Sequence, residues 1–136
     1  MPDKSFSIII RKPIKDFKKK IFVDSDKSIS IRSFLIGSIC EGISVVKNVL
    51  ESEDVFSTIN CLRKLNVKIH YRGKKTYEIF GRGLGSYTAK KNLLLDFGNS
   101  GTASRILTSI LSTTPNINVK LTGDKSLKKR SMQKLI

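Results

Sequence analysis

Asp26-Lys27-Ser28-Ile29-Ser30-Ile31-Arg32 packs an ammonium, two hydroxyls and a guanidinium into a short run. Lys27 offers a mobile point charge, Ser28 and Ser30 offer hydroxyl donors, and Arg32 offers a planar fork that matches phosphate or carboxylate. Two later stretches have similar chemistry: Gly98-Asn99-Ser100-Gly101-Thr102 with Arg105, and Asp124 with Lys128-Lys129-Arg130. Arg32 lies four positions after Ser28, as Arg105 lies four after Gly101, so each arginine sits one turn into a helix. If the helix N-termini converge, their free N–H groups and dipoles join these cations in a basin for a multiply anionic small molecule. Gly98 and Gly101 would let backbone approach such a ligand closely. Each stretch also has an ordinary reading: serines as caps, Asn99 as a left-handed turn residue, Lys128 and Lys129 as a solvated face.

Other chemistries find less support. His70 is the only histidine and falls in a short alternating strand, so neither a metal cluster nor a histidine-based triad can be assembled. Cys40 and Cys61 stand singly inside helical apolar patterns and are expected to be reduced core residues. The net charge of +15, from 26 basic and 11 acidic residues, favours anionic partners. The lysine clusters have few aromatics among them, which speaks against a base-stacking platform and so against nucleic acid. A short apolar run at residues 8–10 has charges on both sides and is not a signal peptide; no segment is long enough to span a membrane, so a cytoplasmic protein is expected.

The elements that must position these residues follow from periodicity. Strands are expected at 6–11 and 18–23, then a helix from residue 27 to about Cys40, stopped by Gly42. A strand at 43–49 precedes a helix capped by Ser52, with Val55, Ile59 and Leu62 inward, ending near Asn66 in the left-handed region. Strands at 67–71 and 76–80 flank a hairpin at 72–75. Gly81-Arg82-Gly83-Leu84-Gly85 reads as a flexible turn, and residues 86–91 as a loop. The pattern then restarts: a strand at 93–95, a helix at 102–112 with Ile106, Leu107, Ile110 and Leu111 inward, a strand at 118–122, and a new helix near Arg130. The chain thus reads as one strand-helix-strand-helix-strand-strand unit over 21–85 and the truncated start of a second over 86–136. A helix beginning near the last residues without an end suggests a piece of a longer repeat architecture.

Four segments in register carry a resemblance. Residues 26–32, Leu50-Glu51-Ser52-Glu53-Asp54-Val55, Phe97-Gly98-Asn99-Ser100-Gly101-Thr102-Ala103-Ser104-Arg105, and Leu121-Thr122-Gly123-Asp124-Lys125-Ser126-Leu127-Lys128-Lys129-Arg130 resemble, in that order, the N-terminal part of the EPSP synthases, the 3-phosphoshikimate 1-carboxyvinyltransferases. The resemblance implies an α/β inside-out fold of two domains, each built from three βαβαββ units; the order read from periodicity agrees with it independently. It implies residues 1–20 pairing with the absent second domain, a monomeric parent, and no metal or organic cofactor. The implied reaction moves the enolpyruvyl group of phosphoenolpyruvate to the 5-hydroxyl of shikimate 3-phosphate and releases phosphate.

Carried over by position, Lys27 is implied to touch both substrates and to be the catalytic residue, able to carry a proton if neighbouring cations lower its affinity for one. Ser28 and Arg32 are implied at the shikimate 3-phosphate, and Asn99, Gly101 and Arg130 at the phosphoenolpyruvate, with Thr102 and Arg105 in the same motif. The chain departs from the family at Asp24-Ser25, where Pro-Gly is usual, at Ile31, where His or Asn is usual, and at Ser131, where proline commonly follows the arginine. Asp24 places a carboxylate near an anion site. The resemblance also implies that half of the site lies beyond Ile136, so the chain by itself is expected to be inactive. The sister transferase acting on UDP-N-acetylglucosamine is the first alternative, though its reactive-cysteine loop is not seen; a basic nucleic-acid-binding module and an inactive interaction fragment are the others.

Overall fold

The computed structural model describes Ile9 and residues 24–133. Its elements are α1 (Lys27–Ile39), β1 (Glu41–Val46), α2 (Glu53–Lys64), β2 (Lys68–Gly73), β3 (Thr76–Arg82), β4 (Leu93–Asp96), α3 (Gly101–Ser112), β5 (Val119–Thr122) and α4 (Lys125–Lys128). The fold is α/β, with helices and strands alternating as the sequence indicates. The strands expected at 6–11 and 18–23 lie outside the described residues.

Local chemistry explains the boundaries. Asp26 caps α1 by accepting the Ile29 N–H at 2.7 Å. The helix ends at Ile39, and β1 starts at Glu41, so Gly42 does not stop the helix; it is the second strand residue, at φ +88°. The strand expected to reach residue 49 ends at Val46, because Asn48 turns the chain with φ +55°. Glu53 and Asp54 lie in the first turn of α2, and Arg63 and Lys64 in its last, each complementing the helix dipole. Ser52 occupies the N-cap position, yet its hydroxyl makes no capping bond. Asn66 takes φ +63°, as its residue type suggests. Lys74 and Lys75 both take positive φ, giving the two-residue hairpin turn that matches strand twist.

The first sheet has the order β1-β3-β2, antiparallel throughout, so β1 and β2 run parallel on either side of β3. A second, parallel pair joins β4 to β5 through α3. Helix α1 packs against α2, α3 and β3, and that central position lets it bring its polar face toward α3. The 81–85 segment is more than a flexible turn: Gly81 and Arg82 belong to β3. A Cβ on Gly81 would overlap the carbonyl oxygens of Cys40 and Gly37, so this glycine lets the end of α1 lie directly on the sheet.

One apolar cluster joins the helices to the strands from α1 through α4. Ile31, Phe34 and Leu35 of α1 join Val55, Ile59 and Leu62 of α2, Ile79 of β3, Leu95 and Phe97, and Leu107 of α3. Phe34 packs edge-on against Tyr77 with ring centroids 5.3 Å apart. Cys61 belongs to this cluster and its burial pushes the thiol up to about 12. Cys40 does not: it is exposed, because it is already beyond the helix whose phase suggested burial. The helix expected near Arg130 also differs. It is a single turn, Lys125–Lys128, started by Asp124, whose carboxylate accepts the Leu127 N–H at 2.6 Å.

Candidate anion-binding site

Loop 97–100 sets up the start of α3 through backbone bonds. The Phe97 N–H donates to the Thr122 carbonyl at 3.0 Å and the Asp124 N–H to the Gly98 carbonyl at 2.9 Å, so the ends of β4 and β5 and the loops that follow them are tied together. Gly98 takes φ +56°, and the Asp96 carboxylate accepts its N–H at 2.9 Å. Ser100 then caps α3 by accepting the Ala103 N–H at 3.2 Å. The N–H groups of Gly101 and Thr102, in the first turn, have no carbonyl partner within the helix and, among the described residues, are left open to an acceptor from outside.

Arg32 of α1, Gly101, Thr102, Arg105 and Ile106 of α3, and Arg130 after α4 line one open cleft of about 340 Å³. Three arginines thus border one cleft at a helix N-terminus, an arrangement suited to planar recognition of phosphate and carboxylate. Two of the three are held in place. Arg130 donates to the Asn99 side-chain oxygen at 2.6 Å. Arg105 donates to the Ser131 carbonyl at 2.8 Å. Gly101 has a steric role: a Cβ there would lie 2.8 Å from Arg130 Nη1, so the missing side chain is the space that the guanidinium uses.

Of the residues singled out by sequence, Arg32, Gly101, Thr102, Arg105 and Arg130 come together, and Asn99 touches the group through Arg130. Lys27 and Ser28 are not in the lining of this cleft. Ser28 lies one turn along α1 from Arg32, on the same face. Lys27 reaches Asp54 at the start of α2, Nζ to Oδ2 2.7 Å. That partner is a carboxylate, unlike the cations that a proton-carrying role would call on. Ser30 is a correction: its buried hydroxyl donates to the Asp26 carbonyl at 2.7 Å and accepts the Leu50 N–H at 3.0 Å, so it ties α1 to the loop before α2 and offers nothing to an anion.

Two carboxylates make side-chain contacts that the sequence does not signal. Asp54, in the first turn of α2, suits the helix dipole there, and nothing local in the sequence signals that Lys27 reaches it. Asp124 stands in the third of the chemistry-bearing stretches; in the structure it both caps α4 and accepts from Asn99 Nδ2 at 2.6 Å. The Leu127 N–H, and then the Asn99 amide, hold the Asp124 carboxyl below the usual carboxylate range. A second, more apolar cavity of about 320 Å³ shares Arg130 in its lining, with Phe97, Leu121, Leu127 and Met132.

The EPSP synthase (3-phosphoshikimate 1-carboxyvinyltransferase) family model matches residues 11–136. The chain is 37% identical over 127 residues to a 3-phosphoshikimate 1-carboxyvinyltransferase of Syntrophomonas wolfei, covering 93% of this chain and 29% of that protein. It is 45% identical over 119 residues to one of a Thermoanaerobacter species, covering 88% of this chain and 27% of that one. Among solved structures, the EPSP synthase from Acinetobacter baumannii superposes with a TM-score of 0.75 at 37% identity, over 85% of this chain and 26% of that chain. The chain therefore spans between a quarter and a third of the length of these relatives. The match covers the cleft residues, the loops that hold them and the α/β units beneath, and on these grounds the chain belongs to the EPSP synthase family.

Proposed function

We propose that this chain supplies one wall of an enolpyruvyl transferase site that takes phosphoenolpyruvate and shikimate 3-phosphate. The observation that carries the reading is the convergence of Arg32, Gly101, Thr102, Arg105 and Arg130 on one cleft. In this reading Ser28 and Arg32, one turn apart on α1, take the shikimate 3-phosphate. Asn99, Gly101 and Arg130 take the phosphoenolpyruvate, and Thr102 and Arg105 complete the α3 end. Lys27 lies between the two as a point charge held by Asp54. Residues 21–85 make the first repeat unit and 86–136 open the second.

The chemistry needs little more from these residues than position and charge. The shikimate 5-hydroxyl oxygen bonds to C2 of phosphoenolpyruvate while C3 gains a proton, giving a tetrahedral adduct; loss of phosphate and of a C3 proton restores the double bond. Both substrates are polyanions, so their mutual repulsion is the first obstacle. Fixed guanidinium groups and helix N–H dipoles offset it and hold the reacting carbons together, lowering the entropic and electrostatic parts of the barrier.

Calorimetric titration of the chain with shikimate 3-phosphate at about 0.15 M salt, where unspecific surface attraction is largely screened, tests the reading. Saturable binding at one site, abolished by Arg32→Ala and absent with unphosphorylated shikimate, is the expected result. Equal uptake of shikimate 3-phosphate and inorganic sulfate, unaffected by Arg32→Ala, would refute it.

A further inference from the structure

We infer that Asp124 is a positioning residue of the cleft, acting on Arg130 through the amide of Asn99. This rests on the proposed role of Arg130 at an anionic substrate.

An asparagine side chain has a donating end and an accepting end, and Arg130 can only donate. Asn99 serves Arg130 only when its oxygen faces the guanidinium, as it does at 2.6 Å. An ionised carboxylate can only accept, so Asp124, 2.6 Å from the Asn99 Nδ2, permits that one orientation of the amide. The other Asp124 oxygen is taken by the Leu127 N–H, and the Asp124 N–H is bound to the Gly98 carbonyl at 2.9 Å, which fixes the carboxylate against the loop that carries Asn99. The resulting line, Leu127 N–H to Asp124 to Asn99 to Arg130, ends with the guanidinium resting in the space left open by Gly101. The side chains of Asn99, Asp124 and Arg130 are exposed, so packing does not dictate their orientation. The hydrogen-bond polarity does.

Asp124→Asn separates this role from capping. Asparagine caps a helix about as well as aspartate, so α4 keeps its start. Its other end becomes a donor facing the donor of Asn99. The Asn99 amide must then turn over and present its NH2 to Arg130, releasing the guanidinium. In NMR of the ligand-free chain, rotation about the Arg130 Nε–Cζ bond should speed up roughly tenfold, as fits the loss of one hydrogen bond to a charged group. Asn99→Ala, which leaves the α4 cap untouched, should do the same. Phosphoenolpyruvate binding should weaken by a similar factor in Asp124→Asn, although the variant loses a negative charge and plain electrostatics would tighten it. Unchanged rotation in Asp124→Asn, whatever Asn99→Ala shows, or tighter phosphoenolpyruvate binding by Asp124→Asn, overturns the inference. If the unaltered chain takes up no phosphoenolpyruvate, the proposed function fails, while the rotation measurement, which needs no ligand, still decides the role of Asp124.

Discussion

Gly101 shows how a single missing side chain can matter to a site without mattering to the fold. Alanine there would meet the far end of the Arg130 side chain, which can swing away, so Gly101→Ala should leave the urea midpoint nearly unchanged. The displaced guanidinium loses its place beside Asn99, and phosphoenolpyruvate binding should fall about tenfold, the cost of one charge-assisted bond; urea unfolding checks the first half and titration calorimetry the second. Lys27 is a similar case. Its ion pair with Asp54 is half-exposed on the lysine side, and such pairs contribute roughly 0–1 kcal/mol. Lys27→Ala should therefore change unfolding by less than about 1 kcal/mol and still lose shikimate 3-phosphate affinity. The residue types at these positions were legible because anion chemistry has a restricted vocabulary. Their partners were not: Asp54 and Asp124 act across 27 and 25 positions of chain, and no local pattern encodes a contact of that kind.

At the scale of elements, the turns written by unusual backbone were legible and those set by tertiary contact were not. Asn66 and the Lys74-Lys75 turn sit where turn chemistry puts them. By contrast, Gly42 looked like a helix stop and is a strand residue, because α1 had already met the sheet at Gly81. Ser30 looked like a ligand donor and is a buried tie, since helical phase turns it inward beside Ile31. Helix α4 was placed too late because its start depends on one carboxylate rather than on an apolar period. That dependence has a pH signature. The Asp124 carboxyl is held below its unfolded value by the Leu127 N–H, so its contribution is complete above the usual carboxylate range and is lost as pH falls through the depressed folded value. Amide exchange at Leu127 should accelerate under acid over that window, and Asp124→Asn should remove the acid dependence.

The whole molecule rests on α1, which contacts both neighbouring helices and the sheet, and whose polar face carries Arg32 to α3. Two changes should show this. Phe34→Ala removes a fully buried ring and should cost about 3–5 kcal/mol. Gly81→Ala places a Cβ into backbone carbonyls that cannot swing aside, and a loss above about 3 kcal/mol is expected. Urea unfolding measures each, and a loss below about 1 kcal/mol for Gly81→Ala would mean that α1 does not rest on the strand at that point. The repeat of strand, loop and helix was visible in the sequence as Arg32 and Arg105 in matching places. Their meeting in one cleft depends on how α1 and α3 pack, which periodicity alone does not express. Backbone amide NMR of the chain titrated with shikimate 3-phosphate and phosphoenolpyruvate tests that convergence most directly. Saturable shifts confined to Ser28, Arg32, Asn99, Gly101, Thr102, Arg105, Arg130 and their immediate neighbours, and lost in Arg32→Ala, are expected; shifts spread along the lysine clusters at 74–75 and 90–91, or none at Gly101 and Thr102, would contradict it.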